Sequence, residues 1–182
     1  LFKTPGRNGK RGQPLIFFFL VVCEEDIVFN FVMYFFLVLG IYTFDQVSKF
    51  FIRNNFFLGE SHPVINDFFH LTLVHNSGAA FGICRSFPRV FSCIAGGSVV
   101  IIMILLVVKR KELELLEKLS LSFILSGTLG NLTDRVRFGY VIDFLDFRVW
   151  PVFNIADSFI TIGAFILGIS LISRSYTNRR KT

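Results

Sequence analysis

Asp143 and Asp157 stand fourteen residues apart, in GYVIDF (139–144) and FNIAD (153–157), and an apolar stretch follows the second. Two carboxylates brought face to face cannot easily hold two negative charges, so one proton is shared between them. The ionised partner can take a proton from water while the protonated one donates to a carbonyl or a leaving amine. That is the acid–base chemistry of aspartic peptidases, and it asks for neither metal nor cofactor. Read as a strand, Val141, Asp143, Leu145 and Phe147 share one face and Asp146 takes the other. Asp143 then has apolar neighbours, and desolvation raises a carboxyl's pKa. The alternative is an ordinary loop carboxylate reaching water, which is how Asp146 reads.

Other polar residues gather around this pair. Asn154, with Asp157 three residues on, reads as a helix N-cap followed by a first-turn acid. Capping accounts for Asn154 and in part for Asp157. Ser158, Thr161 and Gly168 continue a polar and small face, better turned into a bundle than toward lipid. In GNLTDR (130–135), Asn131, Asp134 and Arg135 share one face of a helix end. Asp134 and Arg135 read either as a plain ion pair or as a binding group, and Asp45 with Lys49 four residues later allows another ion pair. Asn76, in HNSGAAFG (75–82), lies beside a small-residue backbone suited to close approach, or to a simple turn.

Several chemistries lack their residues. His62, His70 and His75 show no HExxH spacing and no paired cysteines accompany them, so no metal site is expected. There is no GxSxG elbow and no P-loop. Cys23, Cys84 and Cys93 give an odd count without CxxC, and no disulfide is predicted. Cys23 and Cys93 lie in or beside apolar runs, where free cysteine behaves as a small hydrophobe.

The elements that must position the carboxylates are written in the composition. Of 182 residues 53% are hydrophobic and 18% charged, and the mean hydropathy is +0.61. The apolar residues fall in runs, which points to lipid as the solvent. A spanning helix needs about 20 predominantly apolar residues. Ile27–Gln46 and Phe91–Val108 fit that description, Leu119–Thr133 is a shorter span with hydroxyls and glycines for the inside of a bundle, and Asn154–Ser173 is the fourth. Gly163, Ala164 and Gly168 in the last would permit close helix approach. The fold class predicted is a mainly α membrane protein, a four-transmembrane-helix bundle with a small extracytoplasmic β-platform.

Orientation follows from charge. Twelve of the nineteen basic residues lie in three segments: Lys3, Arg7, Lys10 and Arg11; Lys109, Arg110, Lys111 and Lys118; Arg174, Arg179, Arg180 and Lys181. With four spans all three segments share one side, and the positive-inside rule makes it cytoplasmic. Both termini are then cytoplasmic, and residues ~47–90 and ~134–153 face outward with every carboxylate named above. The net charge of +6 thus marks membrane topology, and without a basic groove or stacking platform no nucleic-acid partner is expected. In the first outward stretch FFHLTLVHN reads as strand, giving a platform over about 47–90. Residues 1–26, basic and then apolar through LIFFFLVVC, resemble a signal peptide, but bulky Val22 stands where a small residue should precede cleavage. They read as an N-terminal extension outside the 27–173 domain, and 174–182 as a basic tail.

DQVSK (45–49), NSGAAFG (76–82), GNLTDR (130–135), GYVIDF (139–144) and FNIAD (153–157), in that order among four spans, resemble the lipoprotein signal peptidase (signal peptidase II) family over residues 27–173. Thr133 stands where a larger apolar residue is more usual. The resemblance implies an aspartic endopeptidase of the bacterial inner membrane, without cofactor. It would remove signal peptides from diacylglyceryl-modified prolipoproteins, cutting before the lipidated cysteine, with those substrates and membrane lipids as partners and a monomer as the active form. It also implies that Asp143 and Asp157 are the catalytic dyad, with Asp45, Asn76, Asn131, Arg135 and Asn154 around the site and Asp134 in support. Two other classes fit parts of the pattern. A small proton-coupled transporter would place its acids near the bilayer midplane and often carries repeats; a noncatalytic scaffold would not need Asp143 and Asp157 together.

Overall fold

The computed structural model describes residues 13–78 and 88–179, with side chains from Val32 onward except those of 88 and 178. Its elements run α1 (Gln13–Asn55), β1 (Ser61–Ile65), β2 (Phe69–Asn76), α2 (Pro88–Val108), α3 (Leu115–Phe138), β3 (Val141–Asp146) and α4 (Ile155–Arg179). The chain divides into two compact units, Leu1–Phe36 and Leu37–Thr182. The first supplies the N-terminal part of α1; the second contains every other element and all the residues of the candidate site.

Among the described residues, three helical stretches are long and apolar enough to cross a membrane: Val32–Asn55, Arg89–Val108 and Ile155–Thr177. Each leaves large apolar side chains uncovered, among them Phe50 and Phe51 on α1, Ile101 and Ile104 on α2, and Phe165 and Ile172 on α4. Such rows are unfavourable against water over this length and suit acyl chains. The fourth helix, α3, has the opposite character. Ser120, Ser122, Ser126, Asn131 and Asp134 are all buried along it. Its hydroxyls return to the helix itself, Ser122 to Lys118 O at 2.8 Å and Thr133 to Leu129 O at 2.8 Å. Ser126 instead reaches across to Val38 O on α1 at 3.0 Å, so α3 is an interior helix whose polar groups are satisfied within the protein.

Glycine sets how closely α3 meets α4. A Cβ on Gly127 would strike the carbonyl of Ala156, and one on Gly163 would strike that of Ser120. Gly168, expected to share this task, has open space around it, and Ala164 is exposed. Val99 and Ile102 of α2 pack with Leu121 and Leu125 of α3 in one apolar cluster. A second, built from Ile52, Leu73, Ile142 and Phe144, joins the end of α1 to the sheet.

The sheet is antiparallel, in the order β1–β2–β3. β2 covers the stretch expected as strand. The platform differs from the expected 47–90 segment at both ends. α1 continues nine residues beyond Gln46, because Lys49 and Ile52 find buried partners there, so Asp45 and Lys49 lie within the helix. The third strand comes from beyond α3, entered through Gly139 (φ 81°), whose N–H returns to Arg135 O at 3.0 Å. A left-handed residue closing a helix is most easily glycine. α3 is also longer than Leu119–Thr133: the carboxylate of Glu117 accepts the N–H of Glu114 and starts it earlier. Residues 174–179 continue α4, and of the cysteines Cys93 is exposed and free, while Cys84 and the side chain of Cys23 lie outside the described residues.

Candidate active site

Five elements converge at one end of the α3–α4 pair, β2 through Asn76. β3 contributes Asp143, α3 its last turns with Asn131, Asp134 and Arg135, α4 its first turn with Asp157, and α1 contributes Asp45 and Lys49. Asn154 lies one residue before α4 and acts as its N-cap: its Oδ1 accepts the N–H of Asp157 at 2.9 Å. Its amide nitrogen then donates to Asp143 Oδ1 at 2.6 Å and to Asn131 Oδ1 at 3.1 Å. Asn131 in turn donates to Asp157 Oδ1 at 2.7 Å. Two asparagines therefore bridge the two carboxylates, and each amide has both its ends engaged.

Asp143 is 1% exposed. Besides Asn154 it receives Asn76 Nδ2 at 2.9 Å on its other oxygen, because β2 places Asn76 beside Val141 and Val74 beside Asp143. Asn76 also accepts the N–H of Gly78 at 3.1 Å, so the turn and the site contact expected as alternatives are made by the same side chain. Burial, and then the charge of Asp157, push the Asp143 carboxyl up to about 7, although both asparagine donors and Lys49 oppose the rise. A carboxyl raised this far can hold a proton near neutral pH, which would let it donate while an ionised neighbour accepts.

Asp45 and Asp134 do not face the dyad; they hold the backbone beside it. Asp45 Oδ1 accepts the N–H of Ala156 at 2.9 Å, and Asp134 Oδ2 accepts that of Ile142 at 3.2 Å. Both pair with Lys49 Nζ at 2.9 Å. The Asp45–Lys49 ion pair is present as read, while Asp134 pairs across to α1 instead of with its neighbour Arg135. Arg135 forms no salt bridge within 4 Å among the described residues; its charge acts on Asp157, Asp143 and Asp134. A Cβ on Gly130 would overlap the Asp45 carboxylate, so glycine is what lets α3 come this close.

Asp146 departs from the solvated acid read in the sequence. It is 6% exposed, accepts Thr72 Oγ1 at 2.8 Å and the N–H of Arg148 at 2.8 Å. Burial pushes its carboxyl up, but those bonds and the Arg148 guanidinium outweigh it and hold it below the ordinary range. It ties the sheet corner and takes no part in the dyad. Sequence reading gave Lys49 only a local ion pair and passed over Gln46, which donates to Asp45, Asp134 and Gly130 O at 3.2 Å each. A lysine with an amide three residues earlier, on a helix otherwise suited to lipid, was the signal available. Among the described residues no three His, Cys, Asp or Glu side chains converge as a metal site would require.

The family profile described as Signal peptidase (SPase) II matches residues 37–173. The chain belongs to the signal peptidase II family. It is thus a membrane aspartic endopeptidase of the kind that removes signal peptides from prolipoproteins. It is 52% identical over 134 residues to the lipoprotein signal peptidase of Moorella thermoacetica, covering 72% of this chain and 87% of that one. Identity to the lipoprotein signal peptidase of Halothermothrix orenii is 46% over 136 residues, covering 74% and 92%. Among solved structures, a bacterial membrane enzyme superposes with a TM-score of 0.73 at 32% identity over 79% of this chain and 89% of the other. The signal peptidase II match spans all the residues that build the site.

Proposed function

We propose that Asp143 and Asp157 are the catalytic pair of this signal peptidase II, and that the bond they cut lies just before the lipidated cysteine of a diacylglyceryl-modified prolipoprotein. The observation that carries the reading is the Asn154–Asn131 bridge between the two carboxylates, with Asp143 held near neutrality. The ionised carboxylate takes a proton from water as its oxygen attacks the scissile carbonyl carbon, and the protonated one gives its proton to the carbonyl oxygen. Collapse of the diol breaks the C–N bond: the proton held by the first carboxylate passes to the leaving nitrogen, and a diol hydroxyl returns its proton to the second carboxylate as the new carboxyl carbonyl forms. Asn76 and Asn154 fix Asp143, Asn131 fixes Asp157, and Arg135 supplies positive charge beside the pair. Asp45 and Asp134 support the backbone on either side.

Placement follows the same logic. α3 is the fourth span, shielded from lipid by its neighbours. Lys109, Arg110, Lys111 and Lys118 lie between α2 and α3 or at the start of α3, at the end opposite the dyad, which supports a cytoplasmic position for them and an extracytoplasmic one for the site. The enzyme sits in the bacterial inner membrane with both termini cytoplasmic. A substrate whose acyl chains rest in the outer leaflet then brings its scissile bond to the level of the dyad. All the site residues come from one chain, which supports a monomer as the active form. The test is cleavage of a diacylated prolipoprotein by the purified protein, with Asp143→Asn and Asp157→Asn compared at equal folding. Loss of cutting in both supports the pair; retention in both removes it.

A further inference from the structure

Lys49 is 1% exposed, and an ammonium has three protons to donate and no capacity to accept. All three have acceptors here: Asp45 Oδ2, Asp134 Oδ2 and Asn131 Oδ1, each at 2.9 Å. What distinguishes these acceptors is where their other contacts go. Asp45 holds the N–H of Ala156, the residue before Asp157. Asp134 holds the N–H of Ile142, the residue before Asp143. Asn131 holds the Asp157 carboxylate and accepts the amide that binds Asp143. One nitrogen is therefore a single bond-step from the backbone of β3, from the first turn of α4 and from the bridge between the carboxylates.

Building on the catalytic reading above, we infer that Lys49 is the positioning residue of the dyad. Its ammonium joins the supports of both aspartates into one unit and sets the distance between them. A plain helix ion pair would need only Asp45. The charge has a second effect. Among the described residues, the charged groups facing Lys49 or the dyad are Asp45 on α1, Asp134 and Arg135 on α3, Asp143 on β3 and Asp157 on α4. Of these the carboxylates outnumber the cations, so removing the ammonium makes a second negative charge on the dyad harder to form.

The test uses the full chain in detergent, with kcat and KM for a diacylated prolipoprotein measured across pH. Lys49→Met is expected to lower kcat about 100-fold, the effect of a small misplacement of reacting groups, with KM within about threefold. Its alkaline limb should move to higher pH, which a merely structural role would not do. That variant strands two buried carboxylates, so Lys49→Met/Asp45→Asn/Asp134→Asn serves beside it. The triple variant keeps an acceptor for each backbone N–H, leaves no unpaired charge and lacks the ammonium junction, and it also removes two negative charges where one positive charge is lost. It should remain at least about 10-fold down in kcat, while its alkaline limb moves to lower pH, opposite to that of the single variant. Native kcat in the triple variant would overturn the inference, whether or not the single variant folds. Failure of the dyad itself looks different: Asp143→Asn and Asp157→Asn would then still cut.

Discussion

At Asp143 a carboxyl is surrounded by amide donors yet sits near pH 7, because burial and the neighbouring Asp157 outweigh those donors. Two consequences follow from opposite sides of the folding equilibrium. Activity should fall as pH rises past about 7, since the proton the pair shares is then lost, and the measured limb belongs to the pair as a unit. Stability has the same sign. An acid whose folded pKa is raised favours the folded state most below its unfolded pKa, and that contribution drains away up to the folded one. The thermal midpoint of Asp143→Asn relative to the native protein should therefore rise from about pH 4, the unfolded carboxyl value, to about 7, and level off above; melts in detergent across that range measure it. Asn154→Ala should cost about 0.5–2 kcal/mol through the lost cap, and it also removes a donor from Asp143. Activity in that variant should drop at temperatures where it is still fully folded.

Elements show how much of this was legible in the sequence. The apolar runs identified α2 and α4 because lipid imposes length and composition on them directly. α1 reads as too short, since Asp45 and Lys49 look like an end to anyone counting apolar residues; Asp134 and Asn131 of α3, which take the Lys49 ammonium, and the apolar cluster around Ile52 explain why the helix continues. The FNIAD cap was readable because capping is local. The GYVIDF stretch reads as either strand or loop, because the pairing of β3 with β2 depends on contacts some seventy residues apart, and Asp146 reads as solvated for the same reason: Thr72 is its partner. Glycine spacing in α4 gave the right idea and one right residue. Gly127→Ala would press on the Ala156 carbonyl, and overpacking of this kind costs about 1–3 kcal/mol. Its melting temperature should fall and cleavage with it, whereas Gly168→Ala, with open space around it, should match the native protein in both.

Across the whole molecule, the end of the α3–α4 pair opposite the proposed dyad should bear on stability without bearing on cleavage. Far from the dyad, buried Glu117 pairs with Arg174 Nη1 at 3.1 Å. Arg174→Ala leaves that carboxylate with a single N–H donor and should lower stability by about 1–2 kcal/mol. Cleavage at a temperature well below melting should be unchanged, and a parallel loss of kcat would contradict this division. Orientation can be checked on the same axis. In a background with its cysteines replaced by serine, a cysteine at exposed Lys111 should react with impermeant thiol reagents only after the inner face is opened. One at exposed His62 should react from outside in intact cells.

Asp45 belongs to the first helix and accepts its backbone hydrogen bond from Ala156, in the last. Ribosomes make these segments more than a hundred residues apart. Until α4 has emerged and entered the bilayer, the Asp45 oxygen meant for Ala156 has no N–H, and the Asn131 amide meant for Asp157 has no carboxylate. A nascent chain that still lacks α4 therefore carries only half of the proposed catalytic centre. On that reading peptidase activity awaits α4, and a premature stop before Asn154 should yield a protein that is inert however well its remaining helices insert.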